Sequence, residues 1–434
     1  MRQGPAQASP AVTRGRRTVA SPWRRAGVAA LALAVAGCGL ETAGLARTRD
    51  GSVGPDAGHD ADTQDAGTDD AGPTDAGATD AGAGDAGAPM RLSLDDATLA
   101  RANAASLFDE ATGTMTWFGA NERRYRMRAG QREILLEGST TNYLVTSEAG
   151  WSGLATFTDN VAAGPDATMS ADRATLAGSI GVGTGGHVYE AVSPPGPPAG
   201  PWAQSLFVRL VAGGPMLRHR PSGPGGTAYP AVAFAVGAAW SRAAFSSSTL
   251  GAIGYFGVGT YHDFAPDPEL PAITVDLWGA MIEARPFPSS YVRSVGVPGM
   301  READVLTFAS LPTWMLVSGP WRVTVTPEWA SAELVAPAYL IDRAGLDYVR
   351  MVPSAGMTRI EVATGGLPAV SHEFSVTARD TTLTFTFDPR AGTLGVAGAA
   401  AGDGTTMGTP WAWENGAFRV GADLFGWLGE PATP

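Results

Sequence analysis

Carboxylate side chains are the residues of this sequence whose types and spacing come nearest to a catalytic pattern. Glu302 and Asp304 stand two residues apart, which places both on one face of a strand. A pair of carboxylates flanking a sugar bond is what glycoside hydrolysis requires. Asp276 and Glu283 have an odd separation, which points them to opposite faces. A glycosidase is therefore the less favoured alternative, and we expect no catalytic residues.

Other catalytic and nucleotide-binding motifs are incomplete. The histidines, at positions 59, 187, 219, 262 and 372, include no H-E-x-x-H pair for zinc, and no G-x-S-x-G segment offers a serine nucleophile. The segment 181–186 matches G-x-G-x-x-G, but it enters a β-rich stretch instead of the helix that a dinucleotide site needs. We expect a hairpin loop there.

Three carboxylates mark the loop 261–269 as a candidate cation site. Asp263, Asp267 and Glu269 lie two to four residues apart on a proline-stiffened segment. Calcium is bound by several oxygen ligands of this kind, so the loop predicts a structural Ca²⁺ site. A solvated loop between two strands is the alternative. The sequence gives no sign of another cofactor.

Aromatic side chains are the natural candidates for ligand contact. The apolar face of a pyranose stacks on an aromatic ring, while neighbouring polar groups bind its hydroxyls. Trp411 and Trp413, with Asn415 nearby, precede the final strands and do not follow their alternation. Tyr255 and Tyr261 flank the acidic loop. Either set is a candidate sugar platform, whereas most other tryptophans are expected in the core.

The elements that must position these residues are β-strands. The segments 202–210, 322–326 and 382–387 alternate apolar and polar residues with period two, which predicts strands with one buried face. Gly/Pro clusters separate these and many similar segments, and no 3.6-residue pattern is sustained. The segment 388–393 has the proline and glycine of a hairpin turn. We expect an all-β chain of two antiparallel sandwiches, with a seam near 307–320.

The amino-terminal region contains Cys38, the only cysteine of the chain. Arg24 and Arg25 precede an apolar stretch, 26–37, that ends at small residues and this cysteine. The order resembles a bacterial lipoprotein signal, residues 1–37, although a secreted protein with a chance cysteine is the alternative. The resemblance implies cleavage before Cys38 and acylation there, which anchors the chain stably in a membrane. The position after the cysteine is Gly39 and not aspartate, and in this the chain is similar to lipoproteins that are sorted to the outer membrane.

Residues 38–89 begin at the cysteine and form a low-complexity segment. From 51 to 89 the chain has almost no large apolar side chain and repeats Asp-Ala-Gly. Such a composition buries too little area to offset the entropy of ordering, so we expect a disordered tether. Repulsion among the nine aspartates of residues 51–89 should extend it.

Three motifs resemble a module of phage tail-fibre and related appendage proteins. They are L-L-E-G-S-T-T-N-Y-L at 135–144, L-W-G-A-M-I-E-A followed by F-P-S-S-Y-V at 277–292, and R-E-A-D-V-L at 301–306. The resemblance implies a carbohydrate-binding jelly roll, here 90–310. A laminin-G or concanavalin-A-like sandwich often follows in that family, and 311–434 is similar to it. Met281 stands where the family usually has glutamine.

The charge balance limits the partners. All 30 basic residues are arginine, and loss of the six in the signal moves the formal charge from −12 to about −18. Nucleic acid is an unfavourable partner, because binding phosphates needs a basic face. Two interpretations remain. One is a lipid-anchored, non-catalytic protein that binds glycan or polysaccharide, and the other is a structural or adhesive envelope protein with a protein partner.

Overall fold

The computed structural model describes residues 89–192, 196–198, 200–219, 232–247, 253–262 and 268–434. The predictions on the signal peptide, Cys38 and the tether lie outside these ranges, as do Asp263 and Asp267 of the acidic loop. Within them the chain is nearly all β, which confirms the predicted fold class. Every strand pair is antiparallel.

The first sandwich consists of two five-stranded sheets. Sheet 1 has, in spatial order, the strands β13 (Val232–Ala235), β12 (Met216–His219), β15 (Tyr255–Gly259), β10 (His187–Ala191) and β7 (Ser152–Leu154). Sheet 2 has the strands β14 (Ser241–Ser247), β11 (Trp202–Gly213), β16 (Ile273–Glu283), β9 (Ala171–Leu176) and β8 (Thr156–Ala162). Apolar side chains from both sheets share one core.

The second sandwich consists of two seven-stranded sheets around the largest core of the described residues. Sheet 3 has the strands β1 (Thr98–Ala100), β18 (Val305–Phe308), β27 (Phe418–Val420), β20 (Ala338–Arg343), β21 (Asp347–Ser354), β22 (Met357–Thr364) and β23 (Leu367–Phe374). Sheet 4 has the strands β26 (Gly404–Met407), β25 (Thr393–Ala397), β24 (Leu383–Asp388), β19 (Trp321–Pro327), β28 (Gly426–Gly429), β5 (Gln131–Leu136) and β4 (Tyr125–Arg128).

The remaining elements are short. Two two-stranded ribbons pair β2 (Ala105–Asp109) with β3 (Thr114–Phe118), and β6 (Thr140–Asn142) with β17 (Gly299–Arg301). Helical structure in the described ranges is confined to single turns at Leu94–Asp96, Trp314–Ser318 and Ser331–Glu333. The described residues contain no helix long and apolar enough to cross a membrane.

Strand alternation predicted one buried face of β11 but not the other. Trp202, Leu206 and Val208 enter the core of the first sandwich, as the period-two pattern predicts. The opposite face is buried as well, because Phe207 belongs to a second apolar cluster. The turn between β24 and β25 is also as predicted, because Asp388 accepts hydrogen bonds from two backbone amides of the turn and Gly392 has a φ of +67°. The glycine-rich segment 181–186 is a loop, but it joins β9 in sheet 2 to β10 in sheet 1. It is therefore a crossover between sheets and not a hairpin.

Sheet membership does not follow the predicted division at residues 310 and 311. Strand β1 pairs with β18 in sheet 3, and β5 pairs with β28 in sheet 4, so segments near residues 99 and 134 belong to the second sandwich. The physical reason is burial, since Leu99, Ile134 and Leu136 lie in the core of the second sandwich. From residue 98 onward, the described part of the polypeptide thus begins in the second sandwich, forms the first, and returns to the second.

Candidate functional site

Glu137 and Asp304, two carboxylates of the motifs at 135–144 and 301–306, belong to a buried ion network. In the guanidinium group of Arg124, Nη1 lies 2.6 Å from Oε2 of Glu137 and Nη2 lies 2.5 Å from Oδ2 of Asp304. Arg301 also pairs with Glu137, and Arg101 with Asp304 at 2.7 Å. All five side chains are at most 1% exposed. Asp304 is thus fully engaged in ion pairs and not open to a substrate.

Electrostatics keep Glu137 ionised within this network. Burial by itself would raise its pKa, but Arg301 and Arg124 outweigh burial and hold the pKa well below its usual range. Ser290 adds two hydrogen bonds to the carboxylate, from its backbone amide at 2.7 Å and its hydroxyl at 2.6 Å. The network therefore joins the segment at 137 to the motif at 290 and to the strand at 301. This role is structural.

Two of the remaining carboxylates, Glu283 and Asp276, are also structural, whereas Glu302 is exposed. Glu283 accepts hydrogen bonds from the hydroxyl groups of Thr140 and Ser289, both at 2.6 Å, and is 1% exposed. Asp276, which is fully buried, pairs with Arg173 at 2.8 Å and Arg209 at 2.9 Å. These partners leave neither carboxylate facing a second one across an open cleft.

The structure contradicts the prediction of a sugar platform at Trp411 and Trp413. Their side chains are 5% and 3% exposed and lie in the core of the second sandwich. The indole nitrogen of Trp413 donates to the backbone carbonyl of Ala363 at 2.9 Å. Asn415 is exposed, but neither of these two tryptophans presents an open ring face beside it. The loop position of the tryptophans misled the prediction, because a loop also covers a sandwich core.

The predicted calcium ligands are only partly within the described ranges. Glu269 is exposed, whereas Asp263 and Asp267 lie outside those ranges. No group of three or more histidine, cysteine, aspartate or glutamate side chains in the described part of the chain is placed to hold a metal ion. The calcium site on this loop stays a prediction.

Sheet 1 carries a row of aromatic side chains on its outer face. Val188 of β10 and Phe256 of β15 point into the core, so the alternate residues of those strands point outward. Tyr255, Tyr189 and His187 occupy these outward positions, and we call them the aromatic row. Tyr255 is 36% exposed, and the other two are half-buried.

The members of the aromatic row contact one another. The rings of Tyr189 and Tyr255 meet edge to face with centroids 5.5 Å apart, and His187 is nearly parallel to Tyr189 at 6.1 Å. Tyr189 is paired with Gly257 across the strands, and His187 with Gly259. Because glycine has no side chain, the two positions of β15 that are directly paired with these rings carry no side chain.

Polar and apolar groups border the row on its other side. Ser152 of β7 is paired with Tyr189, and Leu154 is paired with His187. Both are exposed, Leu154 to 68%. The face thus combines aromatic rings, an aliphatic side chain and a hydroxyl, which is the mixture that binds both the apolar and the hydroxylated surfaces of a sugar.

Tyr261 supports the row instead of extending its open surface. Its ring centroid lies 5.7 Å from that of His187, but the side chain is only 6% exposed. Arg218 donates to the backbone carbonyl of Tyr261 at 2.6 Å and also to that of Pro268. These contacts fix the segment beside the row. Of the predicted tyrosines, the structure therefore places Tyr255 in the open face and Tyr261 behind it.

Sequence reasoning missed Tyr189 and His187. The signal was present, because the two alternate with Val188, and in a strand they therefore share the face opposite to it. What the sequence could not give was the pairing of β10 with β15, which brings Tyr189 against Tyr255.

The fold defines an all-β protein of two sandwiches, and the first of them carries the aromatic row. No known protein-family model and no curated protein matches the chain.

Proposed function

We propose that this protein is a non-catalytic carbohydrate-binding protein of the bacterial envelope, with the aromatic row as its glycan-binding face. The observation that carries the proposal is the contiguous set of Tyr255, Tyr189 and His187 on the outer face of sheet 1. Their spacings of 5.5 and 6.1 Å are comparable with the length of one pyranose unit. Successive rings can therefore contact successive units of an extended glycan.

The chemistry of the face favours a neutral glycan. Stacking on aromatic rings uses the apolar face of a sugar, and Ser152 offers a hydroxyl to the sugar's edge. Arg218, the nearest cation of the sheet, is 2% exposed and already donates to backbone carbonyls. With a formal charge of −12 for the whole chain, long-range repulsion also disfavours polyanionic ligands.

The anchor and tether belong to the same proposal. Acylation at Cys38 would hold the protein at the outer membrane, and residues 38–89 would act as a spacer between the lipid and the sandwiches. A glycan bound by the sandwich would then be retained near the membrane surface. The resemblance to tail-fibre modules supports a carbohydrate ligand, although its motif residues serve the buried ion network.

A protein-binding function is the alternative. Val295, Val297 and Met300 are 66–69% exposed on one short segment, and exposed aliphatic side chains close together are typical of contact surfaces. In that case the sandwiches would act as spacers or adhesive faces. Substitution of these three residues by serine would abolish partner binding but leave glycan binding unchanged.

A glycan array tests the proposal. The wild-type protein should bind a defined set of neutral glycans, and a variant with both Tyr189→Ala and Tyr255→Ala should bind the extended members of that set much more weakly. Tyr339→Ala is the matched control, because Tyr339 is half-buried on a strand of the other sandwich and also meets a tyrosine edge to face, at 6.3 Å. Running the array with and without calcium tests the predicted ion at the same time. Absence of binding by the folded wild type would exclude the proposal.

A further inference from the structure

A cleft of about 400 Å³ lies on the second sandwich, and its lining residues include no member of the aromatic row. The partly exposed Trp314 supplies aromatic surface above the buried Phe308, while Arg91, Asp96 and Ser310 supply polar groups. The volume falls within the range of about 300–1,000 Å³ that is usual for small-molecule sites. The cleft is therefore large enough for one or two sugar units.

The aromatic surface of the cleft is held firmly in place. Phe308 ends β18, is 2% exposed and belongs to the core of the second sandwich. Trp314 opens the helical turn Trp314–Ser318 and packs against the same core, but remains partly exposed. Because the turn and the strand are fixed by core packing, a ligand would not have to order the indole ring on binding.

The polar groups of the cleft are free to bind. Arg91, Asp96 and Ser310 are exposed, and their side chains make no hydrogen bond or ion pair with any residue in the described ranges. A guanidinium group presents several donors in one plane, and a carboxylate presents two acceptor oxygens. Both geometries match neighbouring hydroxyl groups of a sugar. The cleft thus offers a donor, an acceptor and a ring face to one ligand.

We infer that this cleft is a second carbohydrate site, which binds one or two sugar units such as the end of a chain. The inference rests on the proposed function, because it assigns the same class of ligand to a different surface. The two sites differ in shape. The aromatic row is a sheet face suited to the interior of an extended glycan, whereas the cleft is concave and bounded by charged groups.

Two sites on one chain have a consequence for binding strength. A polysaccharide that reaches both sites gains avidity, which can exceed either single affinity by about 10²–10⁴-fold. A short oligosaccharide cannot reach both sites at once. One molecule should therefore bind at each site, which gives two equivalents of ligand per protein chain. The length of the glycan therefore separates the contributions of the two surfaces.

Equilibrium titration of the full-length protein with a short oligosaccharide, chosen from the array, tests the inference. We expect two equivalents for the wild type and one for Arg91→Ala, Asp96→Ala or Tyr189→Ala. Arg91 and Asp96 carry the test, because their exposed side chains can be removed without loss of packing, whereas Trp314→Ala also disturbs the core. Glu302→Ala, another exposed acidic residue without a side-chain partner in the described ranges, is the control and should keep two equivalents.

The outcomes distinguish the two proposals. One wild-type equivalent that Tyr189→Ala abolishes, and that Arg91→Ala and Asp96→Ala leave unchanged, would overturn the second site and keep the proposed function. One equivalent that only the cleft variants abolish would keep the cleft and overturn the aromatic row. Absence of any glycan binding by the folded protein would overturn both.

Discussion

Arg124 and Glu137 form an ion pair of 2.6 Å between two side chains that are completely buried. The two residues are 13 positions apart, and the same arginine also reaches Asp304, 180 positions away. This pair is the centre of a buried network that also includes Arg301 and Asp304. The network gives Glu137 and Asp304 a structural role, and it makes a strong prediction about stability.

Glu137→Gln should destabilise the fold by about 3–5 kcal/mol, because it leaves Arg124 and Arg301 buried without their counter-charge. Chemical denaturation with urea measures the free energy of unfolding. Glu302→Gln is a control from the same region, since Glu302 is exposed, and we expect a change of about 0.5 kcal/mol or less. Equal effects of the two substitutions would show that the network contributes nothing specific.

The free energy of unfolding should also depend on pH through two inward-facing carboxyl groups. Glu190 is 5% exposed, and burial raises its pKa to about 7. Asp172 is 1% exposed, and burial raises its pKa to about 6. Both pKa values lie above those of the same groups in the unfolded chain. At pH values between the unfolded and the folded pKa, the folded state therefore binds more protons than the unfolded state. The contribution of these groups to stability is therefore largest at low pH and is lost as pH rises through about 4 to 7.

Glu190→Gln tests this pH dependence. The variant should be more stable than the wild type at pH 8 by about 1–3 kcal/mol, because it removes the cost of a buried charge. The difference should shrink as the pH falls towards 4.5. Urea unfolding at several pH values measures it, with Glu302→Gln as the exposed control. A difference that is independent of pH would mean that Glu190 does not change its protonation on unfolding.

Trp413→Ala separates a core role from a ligand role. The side chain is 3% exposed and its indole nitrogen is hydrogen-bonded, so truncation should cost about 3–5 kcal/mol of stability. Trp117→Ala, at a ring that is 36% exposed, should cost clearly less. Glycan affinity of the folded Trp413 variant should equal that of the wild type. A variant of normal melting temperature that had lost glycan binding would restore Trp413 as a ligand residue.

Local patterns in the sequence were sufficient for the strands but not for their partners. Period-two alternation predicted that Trp202, Leu206 and Val208 of β11 share a buried face, because the side-chain direction in a strand depends only on neighbouring residues. It did not predict that Phe207 on the opposite face is buried as well. The pairing of β5 with β28 joins positions almost 300 residues apart, such as Leu136 and Gly426. No local pattern contains that information, and the domain boundary predicted near residue 310 was placed without it.

The candidate site was predictable to a similar degree. Tyr255 was identified because it flanks the acidic loop, and it is in the aromatic row. Trp411 and Trp413 were chosen because they break the alternation, but a loop that covers a core also breaks it. Whether a ring outside a strand is buried depends on the tertiary structure around it, and a single sequence does not give this.

The dissociation constant of the best glycan for Tyr189→Ala, relative to Tyr339→Ala, tests the central claim most directly. Stacking of a nucleic-acid base on an aromatic side chain is worth about 1–3 kcal/mol. For a sugar ring on Tyr189 we expect a contribution of the same order, so the Tyr189 variant should bind roughly 10- to 100-fold more weakly. The Tyr339 variant should bind like the wild type. Equal affinity of both variants, with folding intact, would contradict the assignment of the aromatic row as the glycan-binding face.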